Sequence, residues 1–140
     1  MQEREALVEA ARALDAAGYM PQKSGNLSLR MAAGFVITPS GLPYAAMTPD
    51  DLVECAADGT PRGAGRPSSE WRLHAAVYRA RAEAAAVVHT HSPRATALSC
   101  ARRGIPPLHY MVTLAGAGGR LGLPCAQHAT FGTEALAQAA

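Results

Sequence analysis

Residues 24–38 read Ser-Gly-Asn-Leu-Ser-Leu-Arg-Met-Ala-Ala-Gly-Phe-Val-Ile-Thr, and this stretch decides the fold. Asn26, Ser28 and Arg30 alternate with Leu27, Leu29 and Met31. That period of two marks a strand with one face on a core and the other turned away from it. Gly34 permits a tight turn into residues 35–38, a second strand, so the pair reads as a hairpin.

Upstream, residues 2–17 place Leu7, Ala10, Ala11 and Leu14 on one helical face, and Gly18 stands where a helix should stop. Residues 21–25 form the turn between this helix and the first strand. Downstream come a loop at residues 39–43, a strand at 52–55, a turn at Asp58-Gly59 and a Pro/Gly/Arg-rich loop at 61–67. Pro67-Ser68-Ser69-Glu70 reads as a helix start, with a serine cap and an acid in the first turn. That helix runs to about Arg81, with Trp71, Ala75 and Tyr78 along its inner stripe. Ala85-Ala86-Val87-Val88-His89 reads as a buried strand, residues 93–103 as a helix ended by Gly104, and residues 109–114 as a further strand. A last helix begins near Thr133. Strands and helices interleave, which predicts an α/β fold: a mixed or antiparallel central sheet flanked by helices, in a single domain.

Of the 140 residues, 49% are apolar and 17% charged, a globular composition, and the formal net charge is +2. With both signs interspersed and no basic run longer than Arg102-Arg103, neither nucleic acid nor an anionic membrane is called for as partner. No apolar stretch approaches the ~20 residues that span a bilayer. The charged start of the chain carries no apolar signal region, so the expected location is cytoplasmic. Cys55, Cys100 and Cys125 are odd in number and widely spaced, and read as buried reduced thiols.

Three local patterns can carry chemistry. In His89-Thr90-His91, residues i and i+2 of an extended backbone point the same way, so both imidazoles can reach one metal ion. The same pair is equally at home without a metal, in a core or on a surface. Ser68-Ser69-Glu70 at a helix start offers backbone N–H groups and hydroxyls to a phosphate, or is an ordinary cap. Ser24-Gly25-Asn26 and Thr38-Pro39-Ser40-Gly41 are small-residue turns beside strands, where backbone can approach a ligand closely or simply turn.

Taken together and in order, the segments SGNLSLR (24–30), ITPSG (37–41), PSSEWRLH (67–74), AVVHTHS (86–92), PPLHYM (106–111) and ATFGT (129–133) resemble the class II aldolase/adducin family, most of all its fuculose-phosphate aldolase branch. The resemblance implies a three-layer α/β/α fold and a zinc-dependent lyase. Such an enzyme cleaves a ketose 1-phosphate, fuculose 1-phosphate or a 5-deoxypentulose phosphate, to dihydroxyacetone phosphate and an aldehyde. It implies zinc held by His89 and His91, with Glu70 as general base and as a ligand of the resting metal. It implies a phosphate held by Gly25, Asn26, Ser40, Gly41, Ser68 and Ser69. Tyr110, contributed from a neighbouring subunit, positions the aldehyde, and Phe131 lines the aldehyde end. His74 and His109 are given no chemical part, His74 being read as packing or support. The expected assembly is a homo-oligomer, a tetramer in the family. The family's third zinc histidine lies in a His-Gly segment beyond residue 140, so these residues read as one family domain, C-terminally incomplete. The alternatives are a pentulose-phosphate epimerase, whose pattern has an aspartate where Glu70 stands, a methylthioribulose-phosphate dehydratase, or a non-catalytic adducin-like module.

Overall fold

The computed structural model describes residues 1–115 and 122–140. Helix α1 (Gln2–Ala16) is followed by the hairpin β1 (Asn26–Met31) and β2 (Gly34–Ile37), then β3 (Val53–Ala56) and the short β4 (Pro61–Arg62). Helix α2 (Trp71–Ala80), strand β5 (Ala86–His89) and helices α3 (Pro93–Cys100), α4 (Tyr110–Ala115) and α5 (Glu134–Ala139) complete the order. The sheet runs β4-β3-β2-β1-β5 with every neighbouring pair antiparallel. Of the two expected forms, mixed or antiparallel, the described strands take the antiparallel one.

Helices cover both faces. On one, α1 buries Leu7, Val8 and Ala11 against Leu27 of β1 and Val36 of β2. A helix of this length is marginal in isolation. Sinking Leu7 and Val8 into the core contributes about 1.5–3 kcal/mol each and holds α1 in place. On the other face, Phe35 and Ile37 of β2 and Val53 and Cys55 of β3 meet Ala75 and Tyr78 of α2. The alternation along β2 thus splits between two cores, Val36 to one and Phe35 and Ile37 to the other.

The polar side of β1 departs from the half-buried reading. Asn26 and Ser28 are 4% and 0% exposed, because that side is roofed by α2 rather than by water. Arg30 on the same side donates to the carbonyls of Tyr78, Arg81 and Ala84 and lies over the Tyr78 ring, satisfying open carbonyls at the end of α2 and in the segment after it.

Five expectations are corrected. The run at 85–89 pairs with β1 as β5 but is not buried: it is the edge strand, with Ala86 and Val88 exposed. Residues 109–114 do not form a strand: α4 begins at Tyr110, and the His109 ring nitrogen Nδ1 accepts the Met111 N–H as a cap. That local bond outweighs the strand preference of Tyr110, Val112 and Thr113. Part of the loop at 61–67 pairs with β3 as β4. Helix α2 begins one turn late, at Trp71, with Glu70 at its boundary. Of the three cysteines only Cys55 is buried, and Cys100 is exposed. Among the described residues, no helix is long and apolar enough to cross a membrane.

Candidate metal and phosphate site

The site forms where the start of β1, the end of β5, the loop after β2 and the entry to α2 meet. Asn26 opens β1 and His89 closes β5, and the two are direct cross-strand partners. The loops after β2 and before α2 are tied together: Ser68 N–H bonds the Thr38 carbonyl, and Ser40 N–H bonds the Arg66 carbonyl. Two of the backbone donors expected to face a phosphate are therefore spent on the fold. Ser68 Oγ accepts the Glu70 N–H. Gly25 is tight against its surroundings: a Cβ there would lie 2.6 Å from Met20 Cγ and 2.8 Å from the His89 carbonyl oxygen.

One cavity of about 320 Å³ is lined by Ser24, Gly25, Asn26, Ser40, Gly41, Ser68, Ser69, Glu70, His91 and Phe131, and also by Lys23 and Pro39. All six residues expected at the phosphate line it, as do Glu70 and His91. Phe131 stands at its mouth, on a segment held by the bond from Arg72 Nη1 to the Gly132 carbonyl. Tyr110 does not line it: it is 69% exposed at the start of α4, its ring against His109. Lys23 was missed by the sequence reading. It follows Gln22, both residues sit in the left-handed region (φ 64° and 55°), and its Nζ donates to the Gly41 carbonyl at 3.1 Å. Its only sequence signal is a basic residue next to a glycine turn, a pattern too common to single out.

Beside this cavity, Glu70, His89 and His91 present one ligand atom each within 4.8 Å of one another. The two imidazoles stack with centroids 5.0 Å apart. His89 Nδ1 lies 2.6 Å from Glu70 Oε2 but off its donor axis, leaving a buried ring nitrogen with no hydrogen-bond partner. Two imidazole nitrogens and a carboxylate are the donor set that zinc takes in catalytic centres. An orphaned buried nitrogen against a carboxylate is what a shared cation would relieve. On both counts these residues fit a divalent metal.

The electrostatics agree. Burial pushes the Glu70 carboxyl up, but the His89 contact, the Asn26 hydrogen bond and the nearby His91 outweigh it and hold it below the usual carboxylate range. Burial and the neighbouring His89 lower His91, against the opposing pull of Glu70. Both shifts favour the forms that bind a cation, carboxylate and neutral imidazole.

Behind the site, His74 is fully buried and hydrogen-bonds Asn26 and Ser28. It stands one turn after Glu70 on α2, packed among buried polar side chains.

Residues 5–140 match the family described as Class II Aldolase and Adducin N-terminal domain. The chain is 44% identical over 136 residues to a 5-methylthioribulose-1-phosphate/5-deoxyribulose-1-phosphate aldolase of Rhodospirillum rubrum, covering 96% of this chain and 60% of that protein. It is 44% identical over 115 residues to the L-fuculose phosphate aldolase of Escherichia coli, covering 82% of this chain and 52% of that protein. A solved L-fuculose 1-phosphate aldolase superposes with a TM-score of 0.88 at 32% identity, over 98% of this chain and 64% of that one. The chain thus spans between half and two thirds of the length of these relatives.

Proposed function

This chain belongs to the class II aldolase and adducin family, and from that premise we propose that it acts as a zinc-dependent aldolase on a ketose 1-phosphate, releasing dihydroxyacetone phosphate and an aldehyde. The observation that carries the reading is the cavity itself. Serines and a lysine line it together with Glu70 and His91, and His89 stands beside those two, so one small phosphorylated substrate in the cavity can meet both the serines and the candidate metal ligands.

His89, His91 and Glu70 would hold the metal. Bound there, the cation supplies Lewis-acid stabilisation of the negative charge that carbon–carbon cleavage sends to the substrate's carbonyl oxygen. The remaining work falls to the chain's own residues. Ser40, Ser68 and Ser69 with Gly25, Asn26 and Gly41 orient the phosphate, and Lys23 offsets its charge. Glu70, kept as a carboxylate, carries the proton to and from the carbon beside the carbonyl. Phe131 screens the aldehyde end from water. Tyr110, exposed and outside its own cavity, suits a part in the site of a second copy, which makes a homo-oligomer, a tetramer as in the family, the working form.

By their names, one relative acts on 5-methylthioribulose 1-phosphate and 5-deoxyribulose 1-phosphate, and the other on L-fuculose phosphate, and the identity to the two is equal. Fuculose 1-phosphate and 5-deoxyribulose 1-phosphate are therefore the two substrates to test. The metal-loaded protein should release dihydroxyacetone phosphate from at least one of them and stop when a chelator is added. No release from either would reject the aldolase reading.

A further inference from the structure

Four polar side chains form an unbroken buried line behind Glu70. Tyr78 Oη lies 2.8 Å from Ser28 Oγ, Ser28 Oγ lies 2.6 Å from His74 Nδ1, and His74 Nε2 lies 2.5 Å from Asn26 Oδ1. Asn26 Nδ2 donates to Glu70 Oε2 at 3.2 Å. Tyr78 is 8% exposed, Asn26 4%, and Ser28 and His74 not at all, so no water competes for these groups. The direction of every bond follows from the last one. A carboxylate only accepts, so the amide must turn its N–H side to Glu70 and its oxygen to His74. His74 Nε2 must then carry the ring proton. The buried ring is held neutral, its pKa lowered to about 4 by burial and by His89, against the pull of Glu70. Nδ1 is therefore bare and accepts the Ser28 hydroxyl, whose oxygen in turn accepts from Tyr78.

We propose that His74 is a positioning residue for Glu70: its Nε2–H, fixed by Ser28 and Tyr78, locks the Asn26 amide in the one orientation that presents a donor to the carboxylate. Without that lock, Asn26 is free to turn its oxygen toward Glu70, two acceptors would face each other in a dry site, and the carboxylate would swing from its place beside His89. This inference rests on the reading of Glu70 as the base that moves the carbon-bound proton.

The line also explains why the polar side of β1 is buried rather than wet. Asn26 and Ser28, two residues apart on one strand, are the points at which α2 is keyed to the sheet through His74 and Tyr78. The helix that carries His74 and Tyr78 begins immediately after Glu70, so the same contacts set the height of the carboxylate over the end of β5.

The tautomer of His74 tests the lock without any assay. Nitrogen-15 NMR of the ring in the full chain at neutral pH should show Nε2 protonated and Nδ1 bare, and a protonated Nδ1 would overturn the inference. The catalytic half is read from hydrogen–deuterium exchange on dihydroxyacetone phosphate by the metal-loaded protein. Ser28→Ala and His74→Leu should each slow exchange on the order of tenfold to a hundredfold. His74→Gln, which keeps an N–H toward Asn26, should recover part of the rate. Ser28→Ala, the smaller change, serves if His74→Leu does not fold. Full-speed exchange in a folded Ser28→Ala, or in a folded His74→Leu, would overturn the positioning role, while leaving Glu70 as base if Glu70→Gln is inactive. Full exchange in Glu70→Gln would instead remove the base role, and with it the catalytic half of this inference, whatever the tautomer.

Discussion

Asn26 and His89 face each other across the β1–β5 ladder, so the amide that holds Glu70 and the imidazole that meets it are set side by side by one strand pairing. Because strand register fixes which residues are neighbours, a slip of one residue would carry both to the opposite face and dismantle the centre. Asn26 and His89 are thus fixed by the sheet, while Lys23, Ser40 and Gly41 line the cavity from loops.

Glu70→Gln keeps the shape of the side chain and removes its charge. The variant should retain zinc through His89 and His91, with weaker affinity, and lose proton exchange on dihydroxyacetone phosphate by two orders of magnitude or more, the scale of general-base catalysis. Exchange at the wild-type rate would take Glu70 out of the proton-transfer step.

Among the described residues lining the cavity, Lys23 is the one lysine or arginine. Lys23→Ala should raise KM for the ketose phosphate about three- to tenfold, the modest value of an exposed charge-assisted contact, with little change in kcat. The effect should shrink as salt is added. A KM equal to wild type at low salt would show that the phosphate is held by the serines alone.

The two glycines of the phosphate end should respond differently to alanine. At Gly25 the added methyl meets the His89 carbonyl oxygen, so Gly25→Ala must displace the end of β5. It should cost about 1–3 kcal/mol in urea unfolding and weaken metal binding as well. Gly41 has open space but a φ of +80°, so Gly41→Ala should cost about 1 kcal/mol of backbone strain and leave metal affinity intact. Equal metal affinity in both variants would contradict the tight seat described for Gly25.

Acid should weaken the fold through His74. Its ordinary value is 6.5 and burial lowers it to about 4 in the folded chain. Below pH 6.5 the unfolded chain takes up a proton that the folded chain refuses until about pH 4. This contribution is therefore fully present above 6.5 and is lost as the pH falls to 4, by about 3 kcal/mol in total. Urea unfolding at pH 7 and pH 4.5 should show the loss, and His74→Gln should show a smaller one. Identical pH dependence in the two proteins would contradict a buried neutral His74.

Most of this arrangement is legible in the sequence, for stated reasons. The alternation of residues 26–31 and the glycine at 34 fix the central hairpin, because strand period and turn chemistry are local. The spacing of His89 and His91 is local too, and the order of the motifs brought Glu70 and the serines to them. What stayed hidden depends on tertiary contact. Nothing in Asn26 or Ser28 says that α2, rather than water, covers their side of β1. The consecutive left-handed residues Gln22 and Lys23 are held by packing and by the Gly41 carbonyl, not by glycine. Residues 109–114 carry strand-forming side chains, yet His109 caps a helix there.

The most direct test of the whole account is the zinc content of the purified chain, by elemental analysis after exhaustive dialysis. Close to one zinc per chain is expected, falling to background in His89→Ala and in His91→Ala. Absence of zinc from the wild-type chain, or unchanged zinc in both variants, would contradict a metal centre built from Glu70, His89 and His91.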